Sequence, residues 1–289
     1  MKKTWTLWLP AIVITLFASY YQRTTGPTNP KNVQATIAKA ACTLSCPRSM
    51  RTEITPEQAQ GDWESLGKRS MLNIRIKTKE DAASLQVDSP ILLYYKRARS
   101  HDDWQMVTGS PGRHGTIQFM LPSQPPAGKL AYYLEIADTP LLQDAPIVVR
   151  FRNNVPAGAL IPHILFMYAA MLLSTLCGLL ALRNDKRLRK YIKLTLVALF
   201  TGGFILGPLI QKFAFGAFWT GWPLGEDLTD TKTLIAFCFW VVALIFSGKK
   251  PGRILAIIAA IVLLAIYSIP HSASGSEFNY ETGQVETNR

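Results

Sequence analysis

A chain of 289 residues, 48% of them hydrophobic, is long enough for two ordinary domains, but its apolar residues are gathered into runs long enough to cross a bilayer. That bunching points to an integral membrane protein. Much of the excess behind the net charge of +12 crowds beside those runs, where it marks topology and gives no reason to expect a nucleic-acid partner. Four cysteines are too few for a disulfide-dense scaffold, and two of them, Cys177 and Cys238, lie inside apolar runs where a thiol behaves as a small hydrophobe.

Residues 1–21 place Lys2 and Lys3 before the apolar stretch WTLWLPAIVITLFASYY. A signal peptide or an uncleaved anchor has this form. The crowding of Phe17, Tyr20 and Tyr21 around the candidate cleavage sites at Ala18 and Ser19 favours the anchor, because tyrosines suit a membrane interface.

From residue 22 to 156 the chain is polar. Short alternating segments are expected as strands: Ser70–Thr78, Ile91–Ala98, Trp104–Val107, Thr116–Leu121, Leu130–Ala137 and Pro146–Phe151, separated by Gly, Pro, Asp and Ser. Strands at that spacing imply a β-sandwich lying outside the membrane. The stretch ILLYYKRARSHDDWQMV followed by TIQFMLPSQPPAGKLAYYLEIAD resembles an immunoglobulin-like or fibronectin-type module over residues 70–151. That resemblance implies a partner-binding or spacer domain, such as one that engages another envelope protein. His101 and His114 are expected as solvated loop residues. In CTLSCPRSM, the four-residue spacing of Cys42, Cys46 and Met50 admits a local disulfide, a pair of free thiols or a soft copper site.

Residues 157–270 read as a four-helix transmembrane domain. Gly158 to Leu182 is long enough to cross and ends in the basic cluster RNDKRLRKYIK; Tyr191 to Ile210 returns, carrying Gly203 and Gly207 at a spacing that admits close helix approach; Thr231 to Ser247 and Ile254 to Ile269 complete the set, with GKKPGR between them. The basic clusters all fall on one side. The positive-inside rule therefore gives five spans with the first one counted, N-terminus inside, and residues 22–156, the loop 211–233 and the polar tail 271–289 outside, in a bacterial inner membrane. The fold class expected is a membrane α-helical bundle plus an external all-β, immunoglobulin-like sandwich domain, with the lipid bilayer as its first partner.

The loop QKFAFGAFWTGWPLGEDLTDTKT between two spans is the one stretch with the makings of a site. Phe215-Gly216-Ala217-Phe218-Trp219, then Trp222, Asp227 and Asp230-Thr231-Lys232-Thr233, resembles the tryptophan-rich loop of the WWD haem-handling family of cytochrome c biogenesis. Phe215 stands at the first tryptophan, and His163 and His271 flank the loop in the same order. The resemblance implies a haem held by His163 and His271 as metal ligands, with Trp219 and Trp222 as ring platforms and Lys212 for the propionates. The plain alternative is an aromatic interface belt, with Asp230 or Thr229 capping the next helix and Lys212 snorkelling. Sequence motifs for hydrolysis, phosphate binding or metalloprotease chemistry are lacking, so a non-enzymatic partner-binding or assembly role is the expected function.

Overall fold

In the computed structural model, residues 5–37, 40–78, 90–113, 115–225, 227–249, 251–270, 276–280 and 282–287 are described. The chain divides into two compact units. One joins Thr28–Asn154 with Glu277–Glu286, and the other holds the remainder.

The first unit is β-rich. One sheet orders its strands β1-β2-β4-β8-β7, all antiparallel: β1 (Lys31–Ile37), β2 (Ala40–Cys46), β4 (Arg69–Thr78), β8 (Thr116–Pro122) and β7 (Ser110–Pro111). The other orders β3 (Ser49–Arg51), β11 (Ile147–Arg152), β9 (Lys129–Ile136), β5 (Ile91–Arg97) and β6 (Gln105–Thr108), with β10 (Thr139–Leu141) on β9 and β3 parallel to β11. Period-two alternation turns Leu44, Leu72 and Phe119 of one sheet and Leu93, Tyr132, Val149 and Phe151 of the other into a single buried core. Tyr132 is wholly buried, yet its hydroxyl donates to Pro47 O at 2.7 Å, so the ring's burial carries no unsatisfied polar group.

Cys42 and Cys46 also face this core, as does Met50, with both thiols free and buried. Four residues along a strand span roughly 13 Å, about twice the Cα separation a disulfide accepts, so the two cannot bridge each other. Burial pushes the Cys46 thiol up to about 12. Among the described residues no cluster of three or more His, Cys, Asp or Glu could hold a metal. The spacing of CTLSCPRSM is a core-facing strand pattern.

The tail does not remain a polar extension. Strands β12 (Ser276–Asn279) and β13 (Gln284–Thr287) form a hairpin, turned at Gly283 with φ +69°, a conformation that favours glycine. Phe278 packs with Ile54, Ala59, Trp63, Tyr280 and Val285 in a small second core. Glu277 meets Lys129 at 3.0 Å and Arg99 at 3.5 Å, the Phe278 N–H donates to Ala127 O at 3.2 Å, and the Tyr280 hydroxyl donates to Gln124 Oε1 at 2.9 Å.

The helical unit comprises α1 (Trp5–Thr25), α2 (Ala157–Leu182), α3 (Leu188–Phe200), α4 (Gly207–Phe215), α5 (Leu228–Ile245) and α6 (Gly252–Ser268). A π-helical segment, Thr201–Leu206, joins α3 and α4 into one continuous helix. Among the described residues three helices are long and apolar enough to cross a membrane: α2, the α3–α4 helix and α5. The 17-residue α6 is shorter. The close approach expected at Gly203 is present, since a Cβ there would lie 2.6 Å from Thr233 Cγ2, but at Gly207 the nearest atom of another helix, His163 Cε1, stands at 3.8 Å. The second tight position is Gly202, where a Cβ would lie 2.7 Å from Met167 Sδ, so α2 and α5 pack against the π segment through Gly202 and Gly203. Two bonds fix which helix ends meet. Arg253 Nε donates to Ala181 O at 3.1 Å where α2 ends and α6 begins, and Lys232 Nζ donates to Ile269 O at 2.9 Å where α6 ends and α5 begins.

Candidate functional site

The loop is shorter than expected. The helix runs through Pro208 to Phe215 and α5 begins at Leu228, which leaves only twelve residues, 216–227, between them. Pro208 does not stop the helix because it sits just after the π segment, at the start of α4, where its missing N–H costs little. Gly216 closes α4 in the left-handed conformation at φ 88°, its N–H donating to Lys212 O at 2.9 Å. Asp227 caps α5 by accepting from Thr229 N at 2.7 Å.

Between those caps the loop is tied down by buried polar groups. The Asp230 carboxylate accepts from Thr220 N at 2.8 Å. The Gln211 amide, oriented by its neighbours, donates to Asp230 Oδ2 at 2.9 Å and accepts from the Thr220 hydroxyl. Trp222 N donates to Thr231 Oγ1 at 3.0 Å, and Asp227 N donates to Thr220 O at 2.8 Å. Gly221 and Gly225 allow the loop to close this tightly, since a Cβ at the first would stand 2.4 Å from Asp230 Cβ and at the second 2.3 Å from Thr220 O. The acids therefore serve the backbone. Asp227, Asp230 and Lys232 are all buried, and each has its charge directed at a peptide group: Asp227 at the start of its own helix, Asp230 in the loop and Lys232 at the end of α6.

The aromatic residues divide. Trp219 stacks on Phe204 with ring centroids 5.6 Å apart and 19° between planes, and Phe204 packs on Phe200 and Phe237. Its indole donates to Trp222 O at 3.2 Å. Trp219 is thus committed to the bundle, whereas Trp222, Phe218 and Leu224 are exposed at 64%, 56% and 79%. Lys212 Nζ lies 5.2 Å over the Phe218 ring.

His163 occupies the second turn of α2, and its Nδ1 lies 2.9 Å from Gly202 O in the π segment. That carbonyl also takes the N–H of Gly207, the five-residue bond that defines a π turn. A carbonyl only accepts, so Nδ1 carries the proton and Nε2 holds the lone pair. His271, His114 and Glu226 lie outside the described residues; His101 is exposed in the β5–β6 connection. The structure thus brings Lys212, Trp219 and Trp222 together at the loop and ties His163 to the helix that precedes it. Sequence reasoning did not single out Gln211 and Thr220, or the glycines Gly221 and Gly225. Their signal is a pair of glycines four apart beside two charged residues, Asp230 and Lys232, that fall inside the start of an apolar helix.

Compared with protein-family profiles and with characterised proteins, the chain matches none at a significant level.

Proposed function

We propose that the chain is a polytopic membrane protein in which a four-crossing bundle holds one β body at the outer face of a bacterial inner membrane, as a non-enzymatic partner-binding or envelope assembly component. The observation that carries this is the membership of residues 28–154 and 277–286 in a single folded unit. A body folded in water lies on one side of the bilayer, so the chain between Asn154 and Glu277 crosses an even number of times. Three helices there are long enough by themselves, and evenness makes α6 the fourth. Its 17 residues span about 26 Å, at the short end of what a bilayer core accepts. The exposed cations Lys186, Arg189, Lys190 and Lys249 gather at the end of the bundle away from the loop, and the positive-inside rule assigns that end to the cytoplasm.

The tied-down loop supports a scaffold role because its buried charges hold backbone in place. On the β body, Met71 and Met120 are paired across β4 and β8 and both are exposed, at 48% and 41%. Flexible thioethers on an outer face suit contact with a protein partner, in keeping with the immunoglobulin-like reading of the two sheets. Photo-crosslinking residues at 71 and 120 in intact membranes should give one discrete adduct, lost in an otherwise identical chain carrying Gln118→Lys beside them. Absence of any adduct from either position counts against the assembly role.

A second reading, haem handling, is favoured by the Nδ1 contact of His163 with Gly202 O, which makes Nε2 the ring nitrogen that would ligate a metal. Trp219 and Lys212, engaged with Phe204 and Phe218, fit it less well. Purification with haem supplied would give a Soret band that His163→Ala abolishes; no band, or an unchanged band, removes this reading.

A further inference from the structure

The end of the bundle opposite the loop carries the densest charge in the chain. Between residues 183 and 193 stand Arg183, Lys186, Arg187, Arg189, Lys190 and Lys193, all exposed, with Asp185 the only acid. Asp185 is taken by Arg187 at 3.1 Å, and that bond holds its carboxyl below the usual range, so the acid neutralises one neighbour and no more. Leu188 and Ile192 turn inward on α3, which leaves Arg189, Lys190 and Lys193 on its outward side. Arg253, bonded to Ala181 O, brings the start of α6 alongside, and exposed Lys249 lies just before it. Among the described residues none of Lys186, Arg189, Lys190, Lys193 or Lys249 forms a salt bridge.

A second observation fixes the depth of this patch. Trp8 of α1 and Tyr191 of α3 meet edge to face, centroids 6.1 Å apart, within the same turns of helix as the cations, and Trp5 is exposed one turn earlier. Indole and phenol rings collect at the headgroup layer, so the unpaired cations beside them lie where lipid phosphates lie. Long lysine and arginine stems also reach such phosphates readily.

We propose that this surface binds anionic phospholipid headgroups, with Lys186, Arg189, Lys190 and Lys193 as the phosphate-facing residues. The proposal rests on the reading of α2 and the α3–α4 helix as membrane spans. Each basic residue near an anionic surface contributes favourably, and four acting together produce a marked preference for anionic over zwitterionic lipid.

The test uses the full chain purified in non-ionic detergent, incubated with phosphatidylglycerol or phosphatidylcholine of matched acyl chains, and read by native mass spectrometry. Phosphatidylglycerol adducts should exceed phosphatidylcholine adducts by about tenfold. In the combined variant K186Q/R189Q/K190Q/K193Q the ratio should fall to near one, whereas R69Q/R75Q/K77Q, which removes the same kind of charge from β4, should leave it unchanged. Equal adducts in the unmodified chain, or a preference that survives the four substitutions, would overturn the proposal. So would loss of the preference in excess inorganic phosphate but not in sodium chloride of equal ionic strength, because the ligand would then be free phosphate. A monodisperse elution profile for the variant separates lost binding from lost folding. Failure of the membrane reading itself would show differently, as release of the chain from membranes by alkaline carbonate without detergent.

Discussion

The carboxylate of Glu277 lies 3.0 Å from the ammonium of Lys129, although 148 positions separate them and helices α2 to α6 lie between them in sequence. Both groups are largely sequestered, with side-chain exposures of 14% and 18%. A charge pair so far apart in sequence is made only if the tail returns to the β unit, and on that return the proposed even number of crossings rests. Burial holds the Lys129 pKa below its usual value even with Glu277 beside it, so removing Glu277 would leave a largely buried cation without its partner.

The tail is expected to act as a clasp. Phe278 is 3% exposed and sits at the centre of the small core formed with Ile54 and Ala59. Phe278→Ala should cost about 3 kcal/mol locally, the usual scale for truncating a buried phenylalanine. Hydrogen exchange on the full chain should then show loss of protection around residues 52–66, with β4, β8 and β9 unaffected. Unchanged exchange in 52–66 would mean that this segment does not depend on the tail.

Much of the β unit was legible from sequence because its central strands alternate cleanly between Gly, Pro and Asp breaks. The expected Ile91–Ala98 and Thr116–Leu121 differ from β5 and β8 by one residue at one end. Strands β1 and β2 escaped because KNVQATI is mostly polar and AACTLSC is built from small residues with little preference for strands, so neither displays the usual composition. The tail hairpin left a fainter trace. Phe278 and Tyr280 alternate ahead of a glycine turn, but the run is short and its reward comes from contacts with residues more than 200 positions away, such as Ile54. At the loop the aromatic character was readable, but the cap was not: Thr229 or Asp230 was expected to cap the next helix, whereas Asp227 does so and Asp230 turns to Thr220 N. The Gln211–Asp230–Thr220 tie was hidden because it joins two helices whose approach is set by tertiary packing.

Gly221 should tolerate no side chain. An added methyl would meet Asp230 Cβ at 2.4 Å and Thr231 N at 2.7 Å, both fixed by the helix, so Gly221→Ala should destabilise the loop by about 1–3 kcal/mol. Faster exchange at residues 220–231 would report it. Gly248→Ala serves as the control, since nothing lies within 4 Å of a Cβ there and no change is expected.

Acid should loosen the β unit through Asp102. Arg97 donates to both carboxylate oxygens, at 2.6 and 3.1 Å, and this holds the Asp102 carboxyl below the usual range. A depressed folded value means that the stabilisation is present above the ordinary titration point near pH ~3.9 and is lost as pH falls through the folded value. Asp102→Asn should therefore lower the melting temperature at neutral pH, and the difference from the unmodified chain should close in acid. Arg97 also pairs with Glu64 at 3.3 Å and lies 5.2 Å from the Tyr280 ring, so its loss should reach the tail as well. A melting difference that is constant across pH would contradict the assignment to Asp102 ionisation.

The sidedness of the two β segments is the central claim, and single-cysteine labelling in sealed membrane vesicles tests it most directly. With Cys238 replaced by serine, cysteines are placed one at a time at Asp103 in the β unit, Thr282 in the tail and Lys190 in the basic turn, all exposed positions. A membrane-impermeant maleimide should label positions 103 and 282 from the same face and position 190 only from the other. Labelling of 103 and 282 from opposite faces would contradict the account.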